Sequence, residues 1–259
     1  MTRKDRFYNQ AKQEGYRTRS AYKLKQLDEE SGLFGPGNTV VDLGAAPGGW
    51  LQVAAEEVGE QGAVVGVDFQ RIDDLEDVPA TVELVRGDMT EDDTKAEVRE
   101  VAGGDVDVVL SDMAPNMTGE YGLDHARSVH LARQALDVAL DVLDTGGDFA
   151  VKVFQGQDLE ALKADIDAEF QYVRTIVPEA SRDSSSEVYL VGKHRLTAPV
   201  REGDVVTVTV EDEGSEGDGV AKVDEFTVFV DGATVGDELD VEITEVKPRF
   251  AFAEPATDE

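Results

Sequence analysis

Short runs of apolar, β-branched residues recur along the first 195 positions, and between them apolar residues fall at helical spacing. The pattern predicts a helix over 19–30, where Ala21, Leu24 and Leu27 share a face, then a strand over 39–43 and a helix over 49–58. Strands follow at 63–68 and 81–86, a helix at 91–102, a strand at 106–111 and a long helix at 123–143. A strand at 147–153, a helix at 157–169 and strands at 171–177 and 187–192 complete the series. Strands that alternate with helices predict a doubly wound, parallel α/β sheet with helices on both faces. The last two strands have no helix between them, only P-E-A-S-R-D-S-S-S, and read as an antiparallel edge hairpin. At Leu196-Thr197-Ala198-Pro199 the texture changes. Beyond it V-V-T-V-T-V, F-T-V-F-V and L-D-V-E-I-T-E-V alternate at period two, punctuated by glycine, which predicts a small C-terminal all-β barrel. The expected domains are therefore 1–195 and 200–259, joined by a short linker.

One turn stands out. Asp42–Trp50 reads D-L-G-A-A-P-G-G-W and follows the first strand directly, with a helix from about Trp50. Strand, glycine-rich turn and helix form the geometry that holds nucleotide-like ligands at the carboxyl end of a sheet. The glycines are spaced neither as G-x-G-x-x-G nor as G-x-x-x-x-G-K-S/T, so neither a pyrophosphate nor a triphosphate is the indicated ligand. The segment resembles motif I of S-adenosylmethionine-dependent methyltransferases. That resemblance implies a loop around Gly48 and Trp50 packed against the methionine part of the cofactor, within a Rossmann-like methyltransferase sheet.

Acidic residues occupy the ends of successive strands. Asp42 ends the first. Asp68 ends the second, where a carboxylate can accept both hydroxyls of a ribose. Asp88 follows the third, placed for an adenine amino group, and Asp112 follows the fourth in L-S-D-M-A-P-N. All four lie where open α/β sheets bind ligands. Lys152 ends the fifth strand in V-K-V-F-Q-G, flanked by apolar residues. A lysine inside a strand must be partnered or belong to a site, and partial desolvation beside a second cation would make its amine usable as a base.

The composition supports a core, with 41% hydrophobic residues in 259. There is no cysteine, hence no disulfide framework or thiolate zinc site. His125, His130 and His194 have no metal-ligand spacing, and no metal is expected. No apolar run reaches the roughly 20 residues of a membrane span, and the charged N-terminus lacks the apolar core of a secretory signal. A cytoplasmic protein without membrane contact is expected. The net charge is −32, from 56 acidic and 24 basic residues. The acids are dispersed over helix faces and loops, the pattern of a globular protein adapted to a salt-saturated cytosol. Screening at molar salt removes that charge as an argument against an RNA substrate. Residues 1–25 invert the balance, with eight cations against two acids, and read as a basic arm. Phe7, Tyr8, Tyr16 and Tyr22 interleave with it as candidate stacking residues.

Taken together, S-A-Y-K-L, V-V-D-L-G-A-A-P-G-G-W, L-S-D-M-A-P-N-M-T-G, V-K-V-F-Q-G and S-R-D-S-S-S-E-V-Y-L-V resemble the FtsJ/RlmE family of ribosomal RNA 2'-O-ribose methyltransferases, collinearly over roughly residues 5–192. The resemblance implies a catalytic tetrad of Lys23, Asp112, Lys152 and Glu187. It implies S-adenosyl-L-methionine as cofactor, with Gly48, Trp50, Asp68, Asp88 and Asp112 as its contacts. It implies as substrate the A-loop uridine of large-subunit ribosomal RNA, within the large ribosomal subunit. The barrel resembles a TRAM domain, a small RNA-binding module. Its eighteen acids against Arg201, Lys222, Lys247 and Arg249 weaken phosphate binding and leave Lys222, Phe226, Phe229, Lys247, Arg249, Phe250 and Phe252 as a contact surface. Two alternatives stay open at this point: a tRNA ribose methyltransferase of the same superfamily, and a non-catalytic RNA-binding ribosome assembly factor.

The charge excess generates a prediction. Unscreened repulsion among 56 acids opposes compaction at low ionic strength. The thermal midpoint should rise between about 0.1 M and 2 M potassium chloride, as the Debye length falls from about 10 Å to below about 3 Å. Differential scanning fluorimetry across that range checks it.

Overall fold

The computed structural model describes residues 3–104, 106–182, 185–214 and 217–256. Two compact units emerge, one running to Ala168 and resuming over Tyr172–Lys193, the other taking Glu169–Gln171 and the chain from His194 on.

The first unit contains α1 (Arg3–Glu14), α2 (Ala21–Ser31), β1 (Thr39–Leu43), α3 (Gly49–Val58), β2 (Ala63–Asp68), β3 (Thr81–Arg86), α4 (Asp92–Ala102), β4 (Val106–Ser111), α5 (Tyr121–Val142), β5 (Leu143–Phe154) and α6 (Leu159–Asp167), with most of β6 (Phe170–Ile176) and of β7 (Glu187–Arg195). The strand order is β3-β2-β1-β4-β5-β7-β6. β1 pairs in parallel with β2 and β4, β2 with β3, and β4 with β5. Flanked on both sides, β1 buries Val40, Val41 and Leu43 completely, as a central parallel strand must. At the edge, β3 alternates exposed and covered positions instead.

The last two strands are neighbours at the sheet edge as expected, with β7 antiparallel beside β5 and β6 outermost. Two other sequence expectations need correction. The glycine pair in D-T-G-G belongs to β5, which starts at Leu143 directly after α5 rather than at 147. The basic N-terminal segment is not a free arm either. It forms α1, with Phe7 and Ala11 in the core. Phe7, Tyr16 and Tyr22 pack ring against ring, with centroids 5.5 and 5.8 Å apart, and are buried, while Tyr8 alone of the four aromatics is exposed. Tyr22 donates to Glu14 (2.6 Å) and Tyr16 to Glu56, so their hydroxyls are tied inside the protein.

The second unit is a closed barrel of β8 (Val205–Glu213), β9 (Gly219–Val223), β10 (Phe226–Val230), β11 (Glu238–Val246) and β12 (Phe250–Pro255), ordered β10-β12-β11-β8-β9. Period-two alternation sends Val208, Val210, Val228, Val230, Val241 and Ile243 inward. The segment expected as a linker supplies Leu196 and Ala198 to this core. Phe226 also packs against it, whereas Phe229, Phe250 and Phe252 form a cluster of rings with centroids 5.4–5.9 Å apart.

The placement of β7 rests on a buried ion pair. Asp148 on β5 meets Lys193 on β7, and Lys193 also donates to Gly32 O at the end of α2 (2.8 Å). Removing the acid would strand a buried ammonium. Asp148→Ala should therefore lower stability by about 3–5 kcal/mol. The paired replacement Asp148→Leu with Lys193→Met should recover most of that loss in chemical denaturation at fixed salt.

Candidate active site

The carboxyl ends of the parallel strands converge on two adjoining depressions. A cleft of about 380 Å³ is lined by residues that include Gly44, Asp68, Phe69, Asp88, Met89, Asp112 and Leu131. A cavity of about 470 Å³ is lined by residues that include Lys23, Lys152, Glu187, Arg19 and Arg182. Ala114 borders both, and the Asp112–Lys152 pair bridges them.

Strand register builds the cavity floor. Asp112 directly follows β4, beside β5, and its Oδ1 lies 2.9 Å from Lys152 Nζ, which also donates to the Asp112 carbonyl. In the antiparallel β5–β7 pair, Lys152 stands opposite Tyr189 and Phe154 opposite Glu187. Residues two apart on a strand share a face, so Lys152, Tyr189 and Glu187 come together. Tyr189 donates to Asp112 Oδ1 at 2.6 Å. Burial, then the charges of Asp112 and Glu187, push its phenol well above the usual range, which keeps it a donor. Lys23, on α2, meets Glu187 at 2.6 Å and lies over the Tyr189 ring. All four tetrad residues thus join one network.

The cleft has different chemistry. Asp68 accepts the backbone N–H of Ala46 on Oδ2 (3.0 Å) and that of Gln70 on Oδ1 (2.7 Å). A carboxylate offers about four lone-pair sites, so each oxygen keeps capacity for a ligand hydroxyl. Asp88 accepts both the N–H and the hydroxyl of Thr90, which hold it below the usual carboxylate range. No lysine or arginine belongs to the described lining, and the walls mix carboxylates with Phe69, Met89, Met113 and Leu131. That suits a flat adenosine-like ligand carrying positive rather than negative charge.

Gly48 and Trp50 lie outside the lining of this cleft. Gly48 sits at φ 106°, and a Cβ there would come within 2.8 Å of the Arg17 guanidinium. At Gly49 a Cβ would meet the Thr18 hydroxyl at 2.2 Å, and at Gly44 the Met113 side chain at 2.3 Å. Close approach at this turn is thus to the protein's own chain. Arg17 spans it, donating to the carbonyls of Pro47 (2.9 Å), Asp73 (2.7 Å) and Asp74 (2.6 Å). Trp50 is buried, packs on Tyr189 and donates to Ser20 O at 2.9 Å. Sequence reasoning passed over Tyr189 and Arg17. The period-two spacing from Glu187 could have flagged Tyr189, whereas nothing local marks Arg17.

Among the described residues, no cluster of three or more histidines or acids is placed to hold a metal ion, and no helix is long and apolar enough to cross a membrane. Residues 16–195 match the family model for the FtsJ-like methyltransferase, and residues 199–256 that for the TRAM domain. The chain is 68% identical to the ribosomal RNA large subunit methyltransferase E of Haloarcula marismortui, over 98% of this chain and 99% of that one. It is 50% identical to the protein of the same name from Methanocella arvoryzae, over 97% and 96%. A crystal structure of a Plasmodium falciparum protein assigned as a ribosomal RNA methyltransferase superposes with a TM-score of 0.61 at 27% identity, covering 70% of this chain and 98% of that one.

Asp42 yields a test of the site's electrostatics. It is fully buried with Oδ2 unpartnered. Burial, then the charges of Asp112 and Asp68, push its carboxyl well above 3.8. The native state therefore holds a proton that the unfolded chain releases, and stability falls as pH rises from the unfolded pKa to the native one. Asp42→Asn removes that dependence. Its thermal midpoint relative to the parent should increase as pH rises from about 4 to 8, the lower end set by the ordinary aspartate pKa. A difference that is flat or declines with pH would contradict the assignment.

Proposed function

The chain belongs to the FtsJ-like methyltransferase family, and on that premise we propose that it methylates the ribose 2'-hydroxyl of a uridine in large-subunit ribosomal RNA. S-adenosyl-L-methionine is the methyl donor. The reading rests chiefly on one observation: the Asp112–Lys152 pair joins a carboxylate-lined cleft to a cavity that also holds Lys23 and Glu187. The names of relatives at 50–68% identity favour ribosomal RNA over tRNA as the substrate. The complete tetrad favours an enzyme over an assembly factor.

The cofactor supplies an activated methyl group on a cationic sulfonium, which needs no metal. Asp68 would hold its ribose, Asp88 its adenine, and Asp112 would offset its positive charge. A 2'-hydroxyl is a weak nucleophile and requires a base and in-line placement. Lys152 accepts the hydroxyl proton at Nζ. The cofactor, when bound, would supply its methyl carbon to the deprotonated 2'-oxygen, with the sulfur left as a neutral thioether. Asp112 orients the Lys152 amine through Oδ1, and Tyr189 fixes Asp112 in turn. Lys23 and Glu187 hold the ribose edge of the cavity. Arg19 and Arg182 line the same cavity, and burial followed by the neighbouring Arg182 charge lowers the Arg19 pKa, a pairing that a backbone phosphate would relieve. The substrate's 2'-hydroxyl also distinguishes RNA from DNA at this point. The work is done in the cytoplasm on the large ribosomal subunit.

Labelled cofactor tests the reading on large ribosomal subunits and on tRNA in molar potassium chloride. Label should appear as 2'-O-methyluridine in the large-subunit RNA. Lys152→Ala should reduce transfer by about 10²–10⁴-fold with cofactor affinity nearly unchanged. Asp68→Ala should weaken calorimetric cofactor binding first. Near-wild-type transfer by Lys152→Ala would remove that residue from the mechanism.

A further inference from the structure

The catalytic cavity has a wall that the tetrad does not use. Met117 and Tyr121 both line it, and their exposures, 63% and 61%, are among the highest of any large apolar side chains in the molecule. Large apolar groups left in water beside a reactive lysine add little to the core. We propose that Tyr121, supported by Met117, is the stacking seat for the base of the nucleotide whose 2'-hydroxyl is methylated. This rests on the ribose-methylation reading and adds to it the part of the site that takes the base.

Three observations carry the assignment. First, the ring is pre-set. The Tyr121 hydroxyl donates to the Gln155 carbonyl at 2.6 Å, directly after β5 and three residues from Lys152, so the ring is held by its polar end while it remains exposed. Second, the loop is braced. Asp124 accepts the N–H (2.8 Å) and hydroxyl (2.8 Å) of Thr118 and the N–H of Gly119 (3.0 Å), bonds that hold its carboxyl below the usual range. The turn beside Met117 is thereby fixed, which lowers the ordering cost of binding. Third, the position is separate from the cofactor cleft, whose lining contains neither residue. The other aromatic groups of the cavity cannot serve, because Phe154 and His125 are buried and both His125 ring nitrogens are engaged, by Phe154 O (2.9 Å) and the Asp158 N–H (3.1 Å).

A nucleotide fits this arrangement by parts. Its ribose hydroxyl reaches Lys152, its phosphate faces Arg19 and Arg182, and its base has an exposed aromatic face. A base must leave its own stack for the sugar to enter such a cavity, and an aromatic surface offsets that loss. Stacking tolerates any base and depends on apolar contact rather than on charge, so it survives the salt that screens phosphate contacts.

The test is a cycle between protein and substrate. Two RNA hairpins carry either uridine or an abasic ribose, which keeps its 2'-hydroxyl, at the target position. The full-length protein and its Tyr121→Ala and Tyr121→Phe variants are assayed with labelled cofactor in molar salt. On the uridine hairpin, Tyr121→Ala should lose about ten- to hundredfold in kcat/KM, the range spanned by stacking of one base. On the abasic hairpin, the parent should fall to a similar level and Tyr121→Ala should fall no further. Tyr121→Phe keeps the stacking face and loses only the hydroxyl tether, so on uridine it should lose activity measurably but clearly less than Tyr121→Ala. Cofactor affinity and the thermal midpoint should be unchanged, as expected for an exposed side chain. Equal losses by Tyr121→Ala on both hairpins, no loss on uridine, or Phe behaving as Ala would each overturn the seat. A parent enzyme that forms no 2'-O-methyl product on the uridine hairpin or on large ribosomal subunits would instead overturn the ribose reading.

Discussion

Carboxylates crowd the carboxyl edge of the parallel strands, and much of this site follows from how their mutual repulsion is managed. Asp42, Asp68 and Asp112 end or follow three neighbouring strands, β1, β2 and β4, because the parallel register brings those ends to one edge. Each is handled differently. Asp42 is buried and pushed towards its neutral form. Asp68 is held by two backbone N–H groups. Asp112 pairs with Lys152 and is steadied by Tyr189. A cationic ligand at this edge relieves the remaining repulsion, and an anionic one would add to it. The same arrangement places a lysine amine beside the carboxylate-lined cleft, so electrostatic balance and the proposed catalytic geometry have one origin.

The N-terminal segment belongs to this edge. Arg17 and Thr18 fill space that glycine leaves at positions 48 and 49, and Arg17 ties the turn to the 73–74 carbonyls. Lys23 then delivers a cation to Glu187 from the adjoining helix. Cations that look like a mobile RNA-binding arm in the sequence are partly structural. Arg17 and Arg19 meet backbone carbonyls and Lys23 meets a buried acid.

The acidic surface fits the halophilic archaeal sources of relatives such as the Haloarcula protein. At molar salt, long-range charge carries little information, and recognition shifts to contacts that salt does not screen. Exposed apolar and aromatic groups then gain weight. Tyr121 and Met117 in the first unit, and Phe252 of the barrel with the half-buried Phe229 and Phe250 packed beside it, are such groups.

Local pattern alone determined the α/β alternation, the period-two barrel and the strand-end position of Asp68, Asp112 and Lys152, because strand periodicity and turn chemistry are short-range properties. The motifs around them were equally legible. Tertiary structure alone decided what those residues touch. The insertion of β7 between β5 and β6 sets Tyr189 opposite Lys152, a pairing between positions 37 apart that no local period encodes. Burial of Phe7, Tyr16 and Tyr22 depended on α1 finding a hydrophobic surface, which an arm rich in cations does not announce. Only the packed chain shows that Met113, Arg17 and Thr18 crowd the glycines at 44, 48 and 49. Chemistry was written in the residue types. Its geometry came from long-range pairing, which depends on the whole sheet assembling at once.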